Sequence, residues 1–147
     1  MQEQPGSRLY QLATYAEYRP RILLAEDDAV MRRMVATTLE RDGFDVTEVH
    51  DGAELLARLE QSWMYPGADR EIDLVISDVR MPGLTGLAVL EELRRVDTTT
   101  PVLLITAFGD ADLHDAAAEL GAAVLDKPFE LSDLRTAARY YTERPDR

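Results

Sequence analysis

At 147 residues, 46% hydrophobic and 30% charged, the chain is sized for one globular domain around a single core. The absence of cysteine excludes disulfides and thiolate metal sites and suits the cytoplasm. A net charge of −12 argues against unaided nucleic-acid binding, and no apolar run nears the roughly 18 residues of a membrane span.

Residues 1–20 form an N-terminal extension without the basic start and apolar centre of a secretory signal. Gln2 to Ser7 reads as a lead. Leu9, Leu12, Ala13 and Ala16 then fall at helical spacing before Pro20 ends the pattern. The extension is either a frayed tail or a short helix packing on the domain or on a second copy, because so short a helix is marginal alone.

From Arg21 strand and helix alternate. Ile22 to Ala25 is a short apolar strand ending in Glu26-Asp27-Asp28, and the following helix carries Val30, Met31, Met34, Val35 and Leu39 on one stripe, ending near Gly43. Asp45 to Val49 predicts a second strand, and His50-Asp51-Gly52 turns into a helix with Leu55, Leu56 and Leu59. The connection Gln61 to Arg70 holds Trp63, which reads as a lid on the sheet edge, with Pro66 and Gly67. Ile72, Leu74, Val75 and Ile76 then make a run that suits a central strand buried on both faces. It closes in Ser77-Asp78 before Met81-Pro82-Gly83 and Gly86 break the chain into a loop, and a helix over about Leu84 to Val96 follows. Val102 to Ile105 is a fourth strand ending in Thr106-Ala107, followed by a helix over Asp110 to Leu120. Ala122 to Leu125 is a fifth strand ending in Asp126-Lys127-Pro128, and the last helix places Leu131, Leu134, Ala138 and Tyr141 on one face. Such alternation implies an α/β fold with a parallel sheet and helices on both faces. His50 and His114, far apart in sequence, read as surface or strand-end residues rather than a metal pair.

Taken alone, Asp78 suits a turn or a helix cap. The other strand ends change that reading. A parallel sheet brings its carboxyl ends to one rim, so Glu26, Asp27, Asp78, Thr106 and Lys127 converge there. Two like charges 4 Å apart repel by about 4 kcal/mol at an effective dielectric of 20, so three half-buried acids call for protons or cations. Lys127 supplies one charge, and a hard divalent ion, Mg²⁺ above all, fits the rest. Carboxylates, metal, hydroxyl and lysine together suit phosphoryl transfer, with Asp78 as the best-placed attacking group and space over the small Ala107.

The segments ILLAEDD, ISDVRMPG, LLITA and LDKPF, in that order and each at a strand end, resemble the receiver domain of two-component response regulators. The likeness covers about Arg21 to Tyr141, with a receiver unit at 21–143 and a C-terminal tail at 144–147. It implies a flavodoxin-like, doubly wound five-stranded sheet of order 2-1-3-4-5. It also implies that Asp78 accepts a phosphoryl group from a histidine on a sensor kinase or phosphotransfer protein. Asp27, Asp78 and the backbone carbonyl of Arg80 would bind Mg²⁺, Glu26 would act through metal-bound water, and Thr106 and Lys127 would contact phosphoryl oxygens. Lys127-Pro128 is expected to be cis, and Asp28 to cap the first helix.

The resemblance implies a signalling phospho-acceptor rather than a conventional enzyme, with a switching face formed by strand 4, helix 4, strand 5 and helix 5, whose helix 4, strand 5 and helix 5 part is open to homodimer formation. Val124 stands where many receivers carry a switching Tyr or Phe. Arg80 and Phe108, flanking the site, either restrict attacking water or point into solvent, and Met31, Arg32 and Val35 either offer a kinase-docking surface or, Val35 foremost, belong to the core. Only Thr142 to Arg147 follow Tyr141, so output to an unknown protein target is expected through protein contacts, a phosphorelay or phosphate withdrawal, unless the chain is part of something longer. Two rivals stand: a receiver-like interaction module that is not phosphorylated, and a small-molecule enzyme such as a phosphatase or flavin binder. Against the second, position 80 is Arg where such phosphatases carry an acid, and no Gly-rich loop follows the first strand.

Overall fold

The apolar runs become strands, and the polar residues that end them start the helices. A computed structural model describes residues 18–65, 71–107 and 111–143; the expected helix at Leu9 to Ala16 and Phe108 lie outside these. The elements are β1 (Arg21–Ala25), α1 (Ala29–Arg41), β2 (Asp45–Val49), α2 (Gly52–Met64) and β3 (Leu74–Asp78), then α3 (Gly86–Val96), β4 (Val102–Thr106), α4 (Ala111–Glu119), β5 (Ala123–Asp126) and α5 (Leu131–Thr142). Asp28 caps α1, its Oδ1 accepting from the Val30 and Met31 amides at 2.9 and 3.0 Å, as expected. Asp51 caps α2 and Thr85 caps α3 in the same way.

The strands form one parallel sheet in the order β2-β1-β3-β4-β5. This is the flavodoxin-like order with the expected central strand: every residue of β3 and of β4 is buried. Alternate residues serve opposite faces. Leu23, Val75 and Leu104 meet Leu55, Leu59, Leu90, Leu93 and Ala117 of α2, α3 and α4. Ile22, Leu24, Leu74, Ile76, Leu103 and Ile105 meet Val35, Leu39, Leu134 and Ala138 of α1 and α5. Truncating Leu104, which has no exposed surface, is expected to destabilise the fold by about 2–5 kcal/mol in urea titrations, whereas Val30→Ala should stay within about 0.5 kcal/mol.

Two expectations need correction. Val30 and Met34, placed on the core stripe of the first helix, are 81% and 42% exposed. Core contact on α1 falls to Val35, Ala36 and Leu39, with Met31 partly packed; Val35 is core, the reading favoured for it from the sequence. The second helix runs on through Trp63 to Met64, so the connection starts at Tyr65 rather than Gln61. Trp63 sits in that last turn, half-buried against the core on the α2 face.

Candidate functional site

The registers align the carboxyl ends of three adjacent strands: Ala25 pairs with Ser77, and Asp78 with Ile105. Glu26 and Asp78 are thereby buried side by side at the rim, while Asp27 leads out into the loop. Carboxylate oxygens of Glu26, Asp27 and Asp78 all lie within 4.8 Å of one another, the one group of its kind among the described residues. Lys127, arriving from the end of β5, places Nζ 2.9 Å from Asp78 Oδ2 and 3.9 Å from Glu26 Oε2. Thr106 is buried at the end of β4, and its carbonyl accepts from the Lys127 amide at 2.6 Å. The Lys127-Pro128 bond is cis. Arg80 is exposed, and its amide reaches Asp78 Oδ1 at 3.3 Å.

The charges are strained in the way such crowding requires. Burial, then the hydrogen bond and charge of Asp78, push Glu26 from 4.5 up to about 8, against the pull of Lys127. Burial works to lower Lys127, but the hydrogen bond and charge of Asp78, backed by Glu26 and Asp27, outweigh it and hold the ammonium above its ordinary range. Excess negative charge on hard oxygen donors fits a divalent cation of the Mg²⁺ class.

The Asp78 backbone is held as firmly as its side chain. The Asp78 carbonyl accepts from Ser77 Oγ at 2.9 Å, and Gly86 donates to the Val79 carbonyl at 2.9 Å. A Cβ on Gly86 would lie 2.4 Å from the Asp78 carbonyl oxygen. Only glycine lets the start of α3 close on the end of β3. Gly86→Ala should therefore destabilise by about 1–3 kcal/mol in urea titrations, by forcing α3 off that strand.

Sequence reasoning brought Glu26, Asp27, Asp78 and Lys127 to one place and took Gly86 only as a breaker. It missed Ser77 as a support; a hydroxyl just before the acid was the available signal. His50 and His114 each pair with a nearby carboxylate, Glu54 at 2.6 Å and Asp126 at 3.1 Å. Neither belongs to the acidic group. Val124 packs half-buried against the core on the α2–α4 face.

Strand order and rim together define the flavodoxin-like α/β class. Within it, a family model described as the response regulator receiver domain matches residues 22–139, and the chain belongs to that family. It is 36% identical over 115 residues to the response regulator receiver protein CpdR of Brucella abortus, covering 78% of this chain and 89% of that one. It is 41% identical over 132 residues to the transcriptional activator protein PfeR of Pseudomonas aeruginosa, covering 87% of this chain but 40% of PfeR. Among the curated relatives it matches, the chain spans 49% of the Bacillus subtilis transcriptional regulatory protein YkoG and 46% of a Haemophilus influenzae CpxR homologue. The chemotaxis response regulator CheY4 of Vibrio cholerae superposes with a TM-score of 0.72 at 28% identity, over 84% of this chain and 99% of that one. Receiver domains are phospho-accepting modules of two-component signalling, not conventional enzymes.

Proposed function

We propose that the chain works as a Mg²⁺-dependent phosphorylation switch, with Asp78 taking a phosphoryl group from a phosphohistidine of a sensor kinase or phosphotransfer protein. The observation that carries this is the 2.9 Å contact between Asp78 and Lys127 inside a triplet of acids. A carboxylate oxygen of Asp78 forms the bond to phosphorus while the donor's P–N bond breaks and its electron pair returns to the imidazole. Asp27, Asp78 and the Arg80 carbonyl would hold the cation, with Glu26 behind a bound water. The cation, when present, neutralises charge on the incoming phosphoryl oxygens. Lys127 would then turn from Asp78 to a phosphoryl oxygen, and Thr106 would donate to another.

The receiver unit is taken as residues 21–143, in the cytoplasm; no helix among the described residues is long and apolar enough to cross a membrane. The donor would dock over the α1 side of the rim, where Met31, Met34, Ala107, Pro128, Phe129 and Leu131 line a cavity of about 450 Å³ beside Lys127. Two negative charges at most, added at Asp78, would bias the β4–α4–β5–α5 face toward its protein target or a second copy.

The test is incubation with acetyl phosphate. A Mg²⁺-dependent gain of one phosphoryl mass, lost on chelation, supports the switch; no gain at saturating Mg²⁺ favours an interaction module instead. Arg80→Ala is expected to shorten the acyl phosphate's lifetime several-fold in phosphate-release assays, by admitting water that the Arg80 side chain would hold off.

A further inference from the structure

The last residue before Asp27 is gripped on both sides of its α-carbon. The Glu26 amide donates to the Val49 carbonyl at 3.2 Å, and the Glu26 carbonyl accepts from Arg32 Nη1 at 2.7 Å. Arg32 Nε lies 3.5 Å from Glu48 on β2, and its side chain is only 20% exposed. One guanidinium therefore ties the loop after β1 to the neighbouring strand. The carbonyl it holds belongs to the peptide joining Glu26 to Asp27, and rotation about the Glu26 Cα–C bond, which moves that carbonyl, would carry Asp27 away from Glu26 and Asp78. Asp27 needs such support, because it is exposed and lies outside strand and helix.

We infer that Arg32 is a positioning residue for the cation site: by fixing the Glu26–Asp27 peptide it keeps the Asp27 carboxylate turned toward Glu26 and Asp78. This rests on the Mg²⁺-dependent reading above. Charge alone makes the opposite prediction, since removing a cation beside an acidic site should tighten Mg²⁺ binding. The sign of the change thus separates positioning from electrostatics. A lysine keeps the charge but lacks the planar fork that reaches two acceptors at once.

The experiment is calorimetric titration of Mg²⁺ into the unphosphorylated full chain, with acetyl phosphate labelling followed against Mg²⁺ concentration. Arg32→Ala should weaken Mg²⁺ binding by about tenfold, the low end for loss of a group that orients metal ligands. Labelling should then need correspondingly more Mg²⁺, yet reach the wild-type extent at saturation. Arg32→Lys should fall between wild type and Arg32→Ala, and it decides the matter alone if the alanine variant does not fold. Unchanged or tighter binding in the variants overturns the inference. A wild-type chain that neither binds Mg²⁺ nor takes the label overturns the functional reading instead.

Discussion

Asp78→Asn is expected to take up no phosphoryl group from acetyl phosphate and Mg²⁺ under conditions that label the wild-type chain. The amide is close to isosteric with the carboxylate, so the buried site at the end of β3 keeps its packing. What it loses is the negatively charged oxygen that would attack phosphorus. The amide also gives up the charge opposite Lys127, whose Nζ is 2.9 Å away. Lys127→Ala differs in kind. It leaves the nucleophile in place and removes a cation, so labelling should slow without vanishing. Intact-protein mass spectrometry over time separates the two, and equal labelling of Asp78→Asn and wild type would place the acceptor elsewhere.

A stability that falls with rising pH in the presence of a chelator is the second large effect expected. Folding raises Glu26 from 4.5 to about 8. Between those values the folded chain holds a proton that the unfolded chain has released, so stability is greatest at the acid end of the window. It declines by at most about 1.4 kcal/mol per pH unit as pH climbs toward 8. Lys127, raised from 10.5, titrates above this window. Excess Mg²⁺ should flatten the slope and raise stability, because the cation relieves the acids and binds only the folded site. Below the usual carboxylate range the trend reverses. Asp42, held down by Arg135, and Asp97, where hydrogen bonds from Thr100 and Thr99 outweigh burial, give stability above 3.8 that is lost as pH falls through their folded values. Urea titrations at several pH values from about 5 to 8, with chelator and then with Mg²⁺, check the sign. A flat chelator profile would contradict it.

Strands β1, β3 and β4 were legible because buried parallel strands leave nearly unbroken apolar runs, and the first two helix starts because Asp28 and Asp51 stand where caps are needed. Thr85, which caps α3, was passed over for a start at Leu84. Asp78 alone was ambiguous; the shared rim made it a candidate, since position in a parallel sheet converts distance in sequence into proximity. Other features left weaker marks. Val30 and Met34 continue the periodic stripe of α1, and periodicity does not say where the sheet beneath a helix ends. Pro66 and Gly67 drew the expected break upstream of Trp63, although a helix can run to within two residues of a proline. The Arg32 contact is to a main-chain carbonyl, which any residue at position 26 would present, so no pairing of side chains announces it.

The most direct measurement is the anomalous scattering of Mn²⁺ in crystals of the wild-type chain. One peak bounded by Asp27 and Asp78, with Glu26 behind it and Lys127 at its side, is the predicted result. A saturated protein with no peak between those carboxylates, or with its peak at another acidic group, would contradict the account.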